Sequence, residues 1–111
     1  MKRIVIIGNS AAGIAASEAI RESDKESSIT IVSDEPFVAY ERHKILGLLE
    51  GKIKERDLFY RDQDFYKNNG LDLILGHEVI ELNLNKKKAI FKDREFVEFD
   101  ELLIASGARV S

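Results

Sequence analysis

The chain has 111 residues, 44% of them hydrophobic and 33% charged, with a formal net charge of −3. That is the size of one domain or part of one, and the composition is that of a globular chain. The acidic excess argues against nucleic acid or an anionic membrane as a partner, and the lack of cysteine excludes disulfides, thiolate metal sites and a cysteine nucleophile on this chain.

The N-terminus carries Lys2-Arg3 before an apolar run, as an export signal would. The run ends at Ile7 and Gly8-Asn9-Ser10 interrupts it, which is too short for an export h-region. No stretch approaches the ~20 apolar residues of a membrane span. The default expectation is therefore a cytoplasmic protein.

Residues 3 to 7 predict a strand buried on both faces. Residues 11 to 22 predict a helix. Its face of Ala12, Ala15, Ala16 and Ala19 is small enough to lie close against a sheet, and Glu18, Arg21 and Glu22 are available to solvent. Residues 23 to 27 form a polar turn. Residues 28 to 32 predict a second strand, parallel to the first by the right-handed crossover rule.

This strand, turn, helix and strand carry a dinucleotide pattern. Gly8 lets the chain turn sharply out of the first strand. The first amides of the helix are unpaired and carry partial positive charge, which suits a pyrophosphate. Ser10 takes the place of the fingerprint's second glycine and brings a hydroxyl that can itself donate to a phosphate. Gly13 allows helix and strand to approach closely. Asp34, about 20 residues further on, is placed to hydrogen-bond a ribose diol. The bland alternative is a βαβ unit in which Gly8 and Gly13 serve packing alone.

Pro36, the only proline, disfavours helix at Glu35. Residues 37 to 43 read as extended, and residues 43 to 50 as helical with Gly51 as the stop. Residues 55 to 60 are ambiguous. Asp62 caps a helix over residues 63 to 69, stopped by Gly70, and residues 71 to 75 form a third core strand. Residues 78 to 84, 88 to 91 and 95 to 99 are short strands around the turns Asn85-Lys86-Lys87 and Lys92-Asp93-Arg94, an antiparallel meander. Residues 102 to 105 form a buried strand running into Ser106-Gly107. His43 and His77, the only histidines, read as loop residues and give a metal site little to build from.

In order along the chain stand the glycine turn, the acidic strand end, Tyr40-x-Arg42, Gly51-Lys52, Asp57-Leu58-Phe59, Phe65-Tyr66, Asn69-Gly70-Leu71 and Gly76-x-Glu78-Val79. They are followed by Phe99-Asp100-x-Leu102-Leu103-Ile104-Ala105-Ser106-Gly107-Ala108. This series resembles the N-terminal part of the FAD-dependent pyridine nucleotide-disulfide oxidoreductases. The similarity is to the branch of rubredoxin and ferredoxin reductases and the flavoprotein portion of NAD(P)H nitrite reductases. The resemblance implies that Gly8, Ala11, Ala12 and Gly13 form the phosphate turn, with the amide of Ala12 on the pyrophosphate. It implies that Asp34 holds the adenosine ribose, with Glu35 as second candidate, and that Arg42 faces the flavin side. The Val79 backbone would contact adenine, and Ala105-Ser106-Gly107 would pack near the cofactor.

The implied fold is a Rossmann-like, FAD-binding three-layer α/β arrangement, incomplete at its C-terminus. A mainly parallel sheet of residues 3 to 7, 28 to 32, 71 to 75 and 102 to 105 carries helices on one face and the meander on the other. Residues 1 to 111 would be the N-terminal segment of the FAD-binding domain. Two departures from the branch stand out. His43-Lys44 replace a pair of prolines and Gly47 replaces a lysine near the flavin. Lys44 also stands where the thiol-using branch carries its redox cysteine, so thiol chemistry on this chain is excluded.

In such proteins a nicotinamide-binding domain and a C-terminal return to the FAD domain follow, and neither lies in the 111 residues. The chain alone is therefore expected to be catalytically silent, to retain little FAD and to self-associate through unmet apolar surface. Its partners would be the rest of the flavoprotein chain and an electron-acceptor protein or redox domain, with NAD(P)H as reductant. The alternative reading is a stand-alone module that binds NAD or another adenine nucleotide without catalysis. The meander favours the first, since a nicotinamide-only unit would continue with βα repeats.

Overall fold

The structure is a computed structural model that describes residues 2–8, 11–35 and 63–105. The expectations for residues 36 to 62, Ser10, Arg42, Ser106 and Gly107 lie outside the described residues. Four strands make one parallel sheet in the order β3-β2-β1-β7: β1 Arg3–Ile7, β2 Ser28–Val32, β3 Leu71–Ile74 and β7 Glu101–Ile104. Ile7 sits opposite Val32 in β2 and opposite Ile104 in β7, so the strands end together. A second sheet, β4 Val79–Asn83, β5 Lys88–Phe91 and β6 Phe96–Glu98, is antiparallel in that order.

The strand period of two divides the core into two apolar layers. Ile4, Ile6, Ile29 and Ile31 point to one side, where Ile14 of helix α1 (Ala11–Ser23) and Tyr66 of helix α2 (Gln63–Asn68) meet them. Val5 and Val32 point to the other, against Ala89, Phe91 and Phe99 of the meander. Ile6, Ile29 and Ile31 are fully buried, each such side chain contributing about 1.5–3 kcal/mol of burial energy. The three-layer arrangement is the expected one: parallel sheet, helices on one face, meander on the other.

Three local expectations are corrected. The alanine face of α1 is not the main packed one: Ala12, Ala15 and Ala19 are exposed and Ala16 alone of the four packs against the core, while Gly13, Ile14, Ser17 and Arg21 are buried. Ile14 supplies more apolar area than any alanine, so the helix turns that stripe inward. Arg21 accordingly does not face solvent. Its Nε donates to the Asn69 carbonyl at 2.8 Å, one terminal nitrogen to Asp24 at 3.1 Å and Ser27 at 2.8 Å, and the other to Gly70 at 3.2 Å. The last strand is not buried either, because β7 lies at the sheet's edge with Leu103 39% and Ile104 60% exposed.

Chain reversals follow their turn residues. Gly70, at φ 61°, ends α2 as expected, its amide bonded to the Lys67 carbonyl. The meander turns place Lys87 at φ 54° and Arg94 at φ 76°, beside Asn83 and Asp93 side chains that accept turn amides. After α1, the Asp24 carboxylate accepts the Glu26 and Ser27 amides and the Ser27 hydroxyl. These bonds, the Ser27 hydroxyl foremost, pull its pKa from 3.8 down to about 2.

Candidate functional site

The candidate site lies at the C-terminal edge of the parallel sheet. β2 and β3 continue from β1 on one side and β7 flanks it on the other. The chain therefore reverses its direction of travel at β1, and in open parallel sheets ligands occupy the crevice beyond the strand ends at that point.

Gly8 leaves β1 with φ 114°, a conformation that side chains disfavour. Its amide donates to the Val32 carbonyl at 2.8 Å, so the turn is stitched to the end of β2. On the other side the Ala105 amide donates to the Ile7 carbonyl at 2.8 Å. Helix α1 begins at Ala11, and nothing acidic stands in its first turn to repel an anion. Gly13 presses this turn onto the strand. A Cβ there would run into the Gly8 carbonyl oxygen and lie 3.3 Å from the Gly8 carbonyl carbon and 3.7 Å from Ile6 Cγ2. The close approach expected of Gly13 is thus built into the packing at the start of the helix.

The acidic pair stands at the end of the neighbouring strand. Asp34 is exposed and Glu35 is half-buried, two and three residues beyond Val32. The segment is strapped to the end of β3 and to the connector that leads from it to β4. The Ser33 amide donates to Ile74 at 2.9 Å, the His77 amide to Ser33 at 3.0 Å and the Gly76 amide to Glu35 at 2.9 Å. Val79 opens β4 two residues past His77 and packs into the meander-side core. Gly8, Ala12, Gly13, Asp34, Glu35, Val79 and Ala105 therefore share one edge of the fold, as does the backbone of Ala11.

Sequence reasoning missed two residues of this edge. Ser33 is 8% exposed, and its hydroxyl accepts the Glu35 amide at 3.1 Å; a serine two residues before an amide in a strand-end turn was the available signal. His77 places its ring 5.2 Å from that of Phe91 and its Nδ1 3.6 Å from the Asp93 carboxylate, tying the connector to the second meander turn. No group of three or more metal-ligating side chains occurs among the described residues, and no helix among them is long and apolar enough to cross a membrane.

The family model described as pyridine nucleotide-disulphide oxidoreductase matches residues 2–111. The chain belongs to this family. Among curated members it is 32% identical over 108 residues to a nitrite reductase [NAD(P)H] of Bacillus subtilis, a match covering 96% of this chain and 13% of the relative. It is also 32% identical over 112 residues to an NADH oxidase of Methanocaldococcus jannaschii, covering 96% and 25%. Among solved structures it aligns with a chain of the covalent putidaredoxin reductase–putidaredoxin complex at a TM-score of 0.86 and 26% identity, covering 96% of this chain and 26% of that one. The chain thus spans about a quarter or less of the length of these family members.

Proposed function

We propose that this chain is the N-terminal segment of the FAD-binding domain of an NAD(P)H-dependent oxidoreductase. In the whole protein, electrons would pass from a nicotinamide through flavin to a redox partner. The observation that carries this reading is the convergence at the sheet's C-terminal edge. The Gly8 turn, closed by Gly13 and stitched to β2, stands one strand from the carboxylate of Asp34.

The residues fit an adenosine diphosphate group. Gly13 packs on the Gly8 carbonyl with no room for a Cβ, which seats the start of α1 against the end of β1, where a pyrophosphate would meet the amides of Ala11, Ala12 and Gly13. Asp34 would accept both hydrogens of a ribose diol. Glu35 is the second candidate for that contact, the Val79 backbone would meet the adenine, and Ala105-Ser106-Gly107 would line the crevice across β1. Ser10 would add a hydroxyl to the phosphates, and Arg42 would face the flavin side. The chemistry FAD supplies there is acceptance of hydride from the nicotinamide and its onward release as electrons. This chain's share is binding, orientation and the electrostatics of the phosphate turn.

Relatives with nitrite reductase, NADH oxidase and ferredoxin reductase names support the electron-transfer reading. The exposed Leu103 and Ile104 on edge strand β7 support an apolar partner along that edge, from the rest of the flavoprotein chain or a second copy of this one. The cysteine-free, acidic composition suits a cytoplasmic setting.

The test is the full-length gene product. It should purify with flavin absorbance and oxidise NADH or NADPH with ferricyanide as acceptor. Asp34→Ala should cost about 1–3 kcal/mol of FAD affinity through lost ribose hydrogen bonds. A colourless protein that binds no FAD on reconstitution would refute the proposal.

A further inference from the structure

Asn69-Gly70 is the only Asn-Gly step in the chain. Asparagine is thermolabile, and most so before glycine, whose main-chain nitrogen has no side chain beside it to hinder attack. In that reaction the Gly70 nitrogen attacks Cγ of Asn69. A new N–Cγ bond closes a succinimide ring, the Cγ–Nδ2 bond breaks, and Nδ2 leaves as ammonia with the proton of the Gly70 amide. Water then opens the ring at either carbonyl, leaving aspartate or isoaspartate. We propose that Asn69 is a latent site of this modification, which the fold holds shut through Arg21.

The side chain is turned away from the nitrogen it must meet. Asn69 Nδ2 donates to the Phe65 carbonyl at 2.8 Å, one turn back along α2, whereas Gly70 lies ahead. The nitrogen is itself committed, its hydrogen going to the Lys67 carbonyl at 3.1 Å. The other end of the same peptide unit is also fixed, because the Asn69 carbonyl accepts Arg21 Nε at 2.8 Å. Arg21 holds the next carbonyl as well, that of Gly70, at 3.2 Å. A peptide unit is planar, so with its C=O and N–H both bonded it turns toward Cγ only when a bond breaks. Arg21 is 9% exposed, and water competes weakly for carbonyls held by a donor so placed. Gly70 itself is exposed, so water reaches the ring once the unit turns.

The modification runs one way. Isoaspartate carries the main chain through the side-chain carbon, so the carbonyl that Arg21 Nε holds moves along the chain and the clasp cannot reclose as before. An opening of this corner that leads to reaction is thereby recorded in the chain, independently of any cofactor.

The experiment holds the full-length gene product at mildly alkaline pH and follows position 69 by peptide mapping, which separates asparagine, aspartate and isoaspartate. Folded wild type should react at Asn69 more than about 10-fold more slowly than the same protein in urea, because opening the corner costs free energy of the fold. In urea Asn69 should outpace Asn85, which precedes lysine. Arg21→Lys keeps the charge without the guanidinium fork. Below its urea midpoint it should speed reaction at Asn69 about 10-fold over folded wild type, the loss of one charged hydrogen bond, with Asn85 unchanged.

Equal rates in folded and unfolded wild type would overturn the proposal, and that comparison decides even if Arg21→Lys does not fold. Asn69 lagging Asn85 in urea would show that the step is not reactive. Arg21→Lys reacting no faster than wild type, or a matching rise at Asn85 from general loosening, would remove Arg21 from its role.

Discussion

The two edges of the parallel sheet are tied in opposite ways. At the N-terminal edge, side chains do the tying. Arg21 joins the loop before β2 to the residues before β3 through four backbone carbonyls. Arg3 joins β1 to the turn before β7 through both oxygens of Asp100. At the C-terminal edge the ties among the described residues run mostly backbone to backbone, from Gly8 to Val32, Ala105 to Ile7 and Ser33 to Ile74, with the Ser33 hydroxyl accepting the Glu35 amide. Among the described residues, one edge commits polar side chains to the fold, and the other is joined mainly through main-chain amides and carbonyls. Stability and binding are therefore separable along the strands, and substitutions at the two edges should have different signatures.

The largest stability loss should come from Arg21→Ala. It removes a buried guanidinium and leaves carbonyls at two strand entrances without their charged donor, a cost of about 3 kcal/mol. Urea unfolding of the full-length gene product should show it, with ADP affinity unchanged in the folded protein. A loss of ADP affinity with no loss of stability would break the division between the edges. Gly13→Ala should act at the opposite edge. The added methyl meets the Gly8 carbonyl, and such overpacking costs about 1–3 kcal/mol, beyond the ~1 kcal/mol that alanine returns in helix propensity. Because the clash displaces the phosphate turn, flavin content should fall with stability. Full flavin occupancy in Gly13→Ala would show that the turn does not hold the phosphates.

Much of this was legible in the chain. Each strand of both sheets is signalled by apolar runs or by turn residues, and the observed ends coincide with the expected ones or differ by one residue, as at β3, expected through Leu75 and ending at Ile74. Gly8 and Gly13 announce themselves because a side chain is strongly disfavoured at φ 114° and has no room at so close an approach. What was not legible depends on tertiary partners. Arg21 looks like a solvent residue until α2 supplies the Asn69 and Gly70 carbonyls, 48 and 49 residues away. Its position seven beyond Ile14 and four beyond Ser17, on the buried stripe, was the available hint. Small size alone does not bury the alanine face, because Ile14 decides which way the helix turns. Asp100 reads as part of a motif in sequence, and the structure shows it as the clasp on Arg3, far from the crevice.

The smallest expected effect is in pH dependence, and it belongs to the N-terminal edge. Asp24 and Asp100 both have their pKa drawn from 3.8 to about 2, Asp24 first by the Ser27 hydroxyl and Asp100 first by the Arg3 guanidinium. A carboxyl whose pKa is lower folded than unfolded stabilises the fold above its unfolded value, and that contribution is lost as pH falls through the folded value. Urea midpoints should therefore decline between about pH 4 and pH 2. Asp24→Asn and Asp100→Asn should each make that decline shallower, without changing affinity for ADP at neutral pH. The two should part company in salt. Asp100 faces the Arg3 cation at the surface, so its share should shrink as ionic strength rises. Asp24 is held chiefly by a hydroxyl and two amides, so its share should persist. Equal salt sensitivity in the two variants would show that Asp24 is held by charge after all, through Arg21, and that the hydrogen bonds closing the end of α1 contribute little of their own.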